Sequence, residues 1–532
     1  MPSILFLAAA MAAAQAPSAS APPPPPPVIT PEGPRPQVPP PPTELATALK
    51  RGLAPVPGGL TSDKVAEKTV AAAPSVGIKE AAIERAAAKV DQTIVQFLPQ
   101  IGGKAGYTRL SKAAINFGSG GSFVAAQNGP TGDSQFTPVT VGPCDPSMPA
   151  GAQCVLDPGG VPIGVTPPLK IAIPLNSFSL QANLSIPISD YILSLTPAKR
   201  GVKAARESAE AARDAERIKV ETDARLAYYN WIRAIAALTV IEDALTRTQA
   251  RLVDVQNLFE AGSATRSDVL RVDSLVYSQQ AAITDATAFR NLAAKNLAVM
   301  MNEEPENFGI GEDVLAPPKS IGQLPDLDRL IAEGQQNRLE IRSLEQATIG
   351  TEMGIRTTRA AYYPRLDAFA EATYANPNQR FFPLSAVWRA SWSAGVSLSY
   401  TINQTLMTKA RVREMKSNKR ELIHQLELMR RGIALEVTQA YNDRVRALAA
   451  IELNTKALAS SAEAYRVASE SYAAGAATTN EIIDAEGQQV QASLQAVNAH
   501  IDLRAANARL LYATGRLNPG KKRSSESNSD RQ

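Results

Sequence analysis

Along Val387–Tyr400, VWRASWSAGVSLSY, the side chains at Trp388, Ala390, Trp392, Ala394, Val396, Leu398 and Tyr400 alternate with Arg, Ser and Gly. A period of two sustained over that length predicts a strand with one apolar face and one small polar face. Phe178–Ile186, FSLQANLSI, carries the same pattern, with Phe178, Leu180, Ala182, Leu184 and Ile186 on its apolar face. In Leu366–Tyr374, LDAFAEATY, Phe369 interrupts the polar face, and a Gly-rich run after Pro99 is the weakest of the four candidate strands.

Residues 197–260 and 404–473 behave differently. They are rich in Ala, Glu, Arg, Leu and Gln and hold no Pro after Pro197, which favours unbroken helices. At 1.5 Å per residue each is about 90 to 100 Å long, more than any single globular core spans.

These elements occur twice. At a constant offset of 213 residues, AYYNWIRAIAAL (Ala227–Leu238) lies on AYNDRVRALAAI (Ala440–Ile451), and LFEAGSATRSDVL (Leu258–Leu270) on SYAAGAATTNEII (Ser471–Ile483). Upstream, FLPQI (Phe97–Ile101) answers YYPRL (Tyr362–Leu366) at offset 265, so the first copy holds roughly 52 extra residues between its Pro and its long helices. Each copy reads helix, Pro, strand, loop, strand, long helix, Gly turn, long helix, an internal repeat of one supersecondary unit.

The Gly turns read as tips of helical hairpins. Gly262 and Gly475 suit the left-handed position that ends a helix, Thr265 and Thr478 suit the cap of the next, and Asp268 and Glu481 stand where a capping box needs its acid. On spacing alone the two acids are caps.

Composition adds limits. A 532-residue chain that is 44% hydrophobic and 20% charged folds a sizeable core. A net charge of +4 without a sustained basic run gives no reason to expect nucleic acid as a partner. The first residues carry an apolar run, Ile4–Ala14, and an Ala-Gln-Ala step, read as a signal peptide over 1–16. Residues 17–58 are Pro-dominated and read as a tether, and 516–532 as a polar tail. Between them lie repeat 1 (59–304, with an insertion at about 111–170), a linker (305–323) and repeat 2 (324–515). Cys144 and Cys154, ten residues apart inside the insertion, suit a disulfide better than a metal site, and two free thiols remain the other reading. His424 and His500 stand alone, no phosphate-cradling GxxxxGK[ST] occurs, and GSGG at Gly118–Gly121 reads as a loop. No catalytic constellation, metal or cofactor is expected.

Beyond the signal no run of apolar residues is long enough for a membrane helix. Strands of about 10 residues with a wholly apolar face, and with Phe178, Trp388, Trp392 and Tyr400 as membrane-facing aromatics, fit a transmembrane barrel whose polar side lines water; the other reading, a soluble sandwich with one face in a core, leaves the long helices nowhere to sit on so small a sheet. Four strands cannot enclose a lumen and open edges are not tolerated in lipid, so the pattern predicts a cyclic oligomer.

YYPRL, FEAGSATRSDVL and YAAGAATTNEIIDA, in that order of parts, resemble the TolC-like outer membrane efflux proteins over roughly residues 59–515. The resemblance implies an α+β membrane protein: a homotrimer with a twelve-stranded β-barrel in outer membrane lipid, four strands per subunit, continued into a long periplasmic helical barrel. It implies the outer membrane channel of a tripartite efflux pump or type I secretion system, working with a periplasmic adaptor and an inner membrane transporter. By position, Asp268 and Tyr472 correspond to the hairpin latch. The basic latch residue corresponds to Ala477, which leaves Arg266, at another helix phase, as the substitute. Glu481 and Asp484 correspond to acidic rings at the periplasmic gate, and Gly262, Ser263, Ala264, Thr265, Gly475, Ala476, Ala477 and Thr478 to the tips that meet the adaptor. The alternative is an exported coiled-coil scaffold or the adaptor itself, which leaves the alternating strands unexplained.

Overall fold

The computed structural model describes residues 49–111, 126–128, 134–136, 140–143, 153–156, 159–160, 162–163, 174–304, 308–316, 325–382 and 384–517. Repeat 1 opens with α1 (Ser62–Ala72) and α2 (Pro74–Val95) and strand β1 (Gln100–Arg109). The insertion contributes an antiparallel pair, β2 (Ala126–Asn128) and β3 (Ser134–Phe136), and a three-stranded sheet of β4 (Thr140–Pro143), β5 (Gln153–Leu156) and β6 (Pro162–Ile163). Strand β7 (Asn176–Ile186) then leads through a short helical turn into α3 (Thr196–Glu260) and α4 (Arg266–Met301). Repeat 2 runs α5 (Leu327–Asn337), α6 (Leu339–Arg359), β8 (Arg365–Asn376), β9 (Arg389–Ser399), α7 (Gln404–Ala473) and α8 (Thr479–Ala513).

The long strands form one antiparallel sheet in the order β1-β7-β8-β9, with β1 and β9 as its two edges. Apart from Phe369 and Ala375, its register brings the apolar positions to one face. Ile101, Leu184, Ala370 and Ala394 make one rung, and Gly103, Ala182, Ala372 and Trp392 the next. Among the described residues nothing is packed on this face: Ile101 is 83% exposed and Trp392 77%. The other face is a polar ladder, Lys104, Gln181, Thr373 and Ser391 in one rung and Gly102, Asn183, Glu371 and Ser393 in another. Phe369 breaks that face for a local reason. It sits opposite Gly395, and a Cβ there would stand 3.2 Å from its ring, so the aromatic covers a glycine.

The aromatics expected to face the membrane separate by height. Phe178 and Trp388 join Tyr107 and Tyr374 in a cluster at the strand ends nearest the insertion, with ring centroids 4.9 Å (Tyr107–Phe178), 6.2 Å (Phe178–Trp388) and 4.9 Å (Tyr374–Trp388) apart. Tyr400 lies just past β9 at the opposite end, whereas Trp392 lies within the strand, not toward its end.

The long helices pack along one another. Next to the sheet, α2 and α6 pack on α3, and α6 also packs on α7; beyond the midpoint α3 pairs with α4, α7 with α8, and α8 with α3. At the crossover sits a belt, where Leu60, Val65, Tyr228, Trp231, Ile232, Leu297, Ile310 and Ile501 form the largest buried cluster. Leu330, Ile341, Ile433, Val437 and Leu510 form the equivalent core of repeat 2. Among the described residues no helix is long and apolar enough to cross a membrane.

Two sequence boundaries need correction. The segment 17–58 is not a tether throughout: from residue 49 onward it is part of the belt, with Leu49 and Leu53 buried and the Val56 N–H donating to the Ile310 carbonyl at 2.7 Å. The linker 305–323 likewise contains a folded piece, since Leu60 and Ile310 form a parallel bridge and Val314 is fully buried. Pro-rich composition concealed both, because their anchors are distant in sequence. Cys154 is disulfide-bonded; the chain's other cysteine, Cys144, lies outside the described residues.

Candidate functional site

The two hairpin tips are near-identical objects. At the first, Gly262 (φ 77°) follows the last turn of α3, and its N–H donates to Phe259 at 2.9 Å while Ser263 donates to Leu258 at 2.8 Å. At the second, Gly475 (φ 72°) donates to Tyr472 at 3.0 Å and Ala476 to Ser471 at 2.8 Å. This is the paired hydrogen bonding by which a left-handed glycine closes a helix. The next residues, Ala264 and Ala477, donate to the same Leu258 and Ser471 carbonyls, each at 3.2 Å.

Both predicted capping boxes form. The Thr265 N–H donates to the Asp268 carboxylate at 3.0 Å and the Asp268 N–H returns to the Thr265 hydroxyl at 3.2 Å; for Thr478 and Glu481 the distances are 2.9 and 3.3 Å. The Thr265 hydroxyl and N–H together hold the Asp268 carboxyl below the usual aspartate range. Glu481 and Asp484 are both exposed, three residues apart on α8, with Ile482 buried on the opposite side. A groove of about 490 Å³ runs from α7 to this tip, lined by Ala464, Val467, Ala468, Ala476, Ala477 and Glu481.

Within one chain no hydrogen bond joins the latch residues Asp268 and Tyr472. Asp268 is held within its own cap, and the buried Tyr472 hydroxyl has no hydrogen-bond partner. Arg251 of α3, not an acid, stands over the Tyr472 ring, 5.8 Å from its centroid. Arg266 is exposed at the start of α4, and Arg271, one turn on, donates to Asn480 of α8 and so links the two hairpins near their tips.

Deeper along the same helices is a cluster that sequence reasoning missed. Glu486 of α8 is 2% exposed and lies between two guanidinium groups of α3, 3.5 Å from Arg247 and 3.6 Å from Arg251. Arg247 also reaches Asp243 at 3.3 Å and Gln489 at 3.3 Å, and Arg251 donates to the Tyr465 hydroxyl of α7 at 3.1 Å. Burial pushes the Glu486 carboxyl up, against the pull of Arg247 and Arg251 and with help from Asp243. A signal was present: Ile482, Glu486, Gln489 and Ser493 are all buried on one face of α8, a core spacing written in mostly polar letters.

A sheet with one bare apolar face, continued by hairpins far longer than a globular core needs, is the subunit architecture of a membrane duct. The family described as outer membrane efflux protein matches residues 172–303 and 330–516. That is more than half of the chain, which belongs to this family. Its fold is shared by the outer membrane protein VceC of Vibrio cholerae, with TM-score 0.64, 15% identity and coverage of 89% of this chain and 99% of that one. The Campylobacter jejuni CmeC outer membrane channel gives TM-score 0.64 at 16% identity over 88% and 87% of the two chains. The open state of the Neisseria gonorrhoeae MtrE outer membrane channel gives 0.63 at 17% over 85% and 88%. At such identities the agreement is one of fold. No curated protein sequence matches the chain. The chain is thus an outer membrane efflux protein, with its sheet in the membrane and its hairpins in the periplasm.

Proposed function

We propose that three copies of the chain close a twelve-stranded barrel and a continuous helical tunnel, forming the passive exit duct of a tripartite efflux pump or type I secretion system. The carrying observation is the pair of open edges, β1 and β9, on a sheet whose apolar face is bare. Unpaired backbone groups cannot face hydrocarbon, so in lipid each β9 pairs with the β1 of a neighbour. The polar ladder then lines water.

Movement of cargo is driven from outside the chain, by an inner membrane transporter reached through a periplasmic adaptor; the duct does no catalysis. Solved relatives described as outer membrane channels support this reading. The tips around Gly262 and Gly475 are the adaptor's docking surface, their small residues, exposed at Ser263 and Ala476 and half-buried at Ala264 and Ala477, leaving room for a partner helix. Glu481 and Asp484, repeated threefold about the axis, form two acidic rings that favour cations and bind divalent ions. Asp268, Tyr472 and Arg266 act near the same constriction.

The test is single-channel conductance of the purified protein in a planar bilayer, compared with Glu481→Ala/Asp484→Ala. Small cation-selective pores blocked by divalent ions in the wild type, with block lost in the variant, support duct and gate. Pores whose block survives the substitution reduce the acids to caps. Well-folded protein that forms no pore removes the duct.

A further inference from the structure

At the end of the sheet away from the helices, the segment that joins β8 to β9 lies back on the sheet. Asn378, in this segment, is 4% exposed, and its whole side-chain amide is used. The nitrogen donates to the Arg389 carbonyl at 3.0 Å and to the Ser391 hydroxyl at 2.9 Å, and the oxygen accepts the Arg380 N–H at 3.0 Å. Ser391 stands on the polar ladder, so that is the face the segment covers. Ala375, opposite Arg389 on the same face, is buried too.

The fold-back fixes two cations at this end. Arg380 donates to the Trp392 carbonyl at 2.8 Å, and the Arg389 guanidinium lies 5.0 Å from the Phe381 ring centroid. Lys104 stands on the same face one rung further in, level with Gln181, Thr373 and Ser391. Among the described residues none of these three cations is in an ion pair, whereas Arg365, at the helix end of the sheet, is held by Asp367 at 2.9 Å and Asp190 at 3.6 Å. The acids of the polar face, Glu371 and Asp367, both lie deeper than the Lys104 rung. The outer part of the ladder thus holds unneutralised positive charge, and no acid among the described residues.

We propose that Lys104, Arg380 and Arg389 form an anion-binding ring at the outer mouth of the duct, which takes phosphate- or carboxylate-bearing solutes. The proposal rests on the duct reading above: closing three subunits about one axis turns the polar ladder inward and brings three copies of each cation close to one level. A charged, water-filled passage between low-dielectric walls concentrates ions of the opposite sign, and rings of Arg and Lys are the arrangement by which a pore favours anions. Arg380, tied to a backbone carbonyl, and Arg389, laid against an aromatic ring, are preorganised for this. The mouth is then opposite in sign to the tip acids Glu481 and Asp484.

The test uses the full chain in planar bilayers without divalent ions, with inositol hexakisphosphate as the anionic probe and the size of the assembled species as a folding control. The probe blocks the wild-type current, and the block weakens as KCl is raised, as screening requires. Arg389→Gln and Lys104→Gln each raise the half-blocking concentration several-fold, and the two together raise it by about tenfold or more. Arg389→Lys, which keeps the charge, stays near wild type, and so does Lys68→Gln, which breaks an exposed pair with Glu303 in the belt. Among the described residues Lys104 makes no hydrogen bond, so Lys104→Gln decides where Arg389→Gln does not assemble. A wild-type pore that the probe does not block, or assembled Gln variants blocked as readily as wild type, overturn the ring and leave the duct intact. Wild-type protein that forms no pore overturns the duct and the ring with it.

Discussion

The hydroxyl of Tyr228, on a wholly buried side chain, donates to the carbonyl of Leu60 at 2.7 Å, tying the middle of α3 to the segment that enters the belt. The same carbonyl accepts the Gly311 N–H at 2.7 Å, so deleting the hydroxyl leaves the acceptor served. Tyr228→Phe therefore costs about 1 kcal/mol, one net hydrogen bond, and Tyr228→Ala about 3 to 5 kcal/mol, a cavity in the core. Tyr441, its counterpart in the repeat, is only half-buried, and Tyr441→Phe stays within about 0.5 kcal/mol. Denaturant unfolding of the detergent-solubilised protein, followed by circular dichroism, measures all three. Equal losses at the two tyrosines would refute the asymmetry of the belt.

What the sequence revealed, and what it hid, follows from the range of each interaction. The long helices, the Gly262 and Gly475 turns and the Thr265 and Thr478 caps are written in residues within a few positions of one another, and their predicted bounds agree with Thr196–Glu260 and Gln404–Ala473 to a residue. Strand alternation is equally local, and the bounds of β7, β8 and β9 fall within two residues of the pattern. The misses are contacts between distant segments. Leu49 and Leu53 read as the end of a Pro-rich tether because their burial depends on α3, more than 150 residues on. Phe369 read as a defect because its purpose is a glycine on the next strand. Glu486 did not stand out in the sequence because its two arginines lie on another hairpin.

The caps give a prediction confined to the tips. Thr265→Ala and Thr478→Ala each remove a hydroxyl that accepts from the third helical N–H, a loss of about 1 kcal/mol. Gly475→Ala forces an L side chain into φ 72°, at about 1 to 2 kcal/mol. None of these touches the belt, so the global unfolding free energy falls by no more than these amounts, while amide exchange quickens most in residues 471–484 for the second tip and 258–270 for the first. Uniform quickening across α7 or α3 would mean that the helices take their stability from the tips, contrary to their packing.

A pH dependence follows from Arg338, which is buried at the α5–α6 junction with Glu340 at 2.9 Å and Glu436 at 2.9 Å, its guanidinium 4.2 Å from the Tyr512 ring centroid. Burial pulls the Glu340 carboxyl up, but the hydrogen bonds and charge of Arg338 outweigh it and hold Glu340 below the ordinary glutamate value of 4.5. A carboxylate with a depressed folded pKa adds stability that is fully present above its unfolded pKa and lost as pH falls through the folded one. Wild type is thus more stable than Glu340→Gln at pH 7, and the gap narrows only below about pH 4.5. Melting temperatures of the two proteins from pH 7 to pH 3 test the sign; a gap that widens on acidification contradicts it.

The three tryptophans allow the sheet's place in the membrane to be read directly. Trp231 is buried in the belt, whereas Trp388 and Trp392 stand on the bare apolar face. Four residues of strand separate those two, about 13 Å along β9 at 3.3 Å per residue, and about 10 Å in depth once the usual strand tilt is allowed for. Trp388 belongs to the aromatic cluster at the boundary and Trp392 to the hydrocarbon, so in bilayers of brominated lipid their quenching profiles differ. In single-tryptophan variants made with Phe at the other positions, Trp392 is quenched most by bromines deep in the acyl chain and Trp388 by bromines near the headgroup. Trp231 keeps its full emission in every lipid. Equal quenching of Trp231 and Trp392 would place the belt in the membrane, and no quenching of Trp392 would take the sheet out of it.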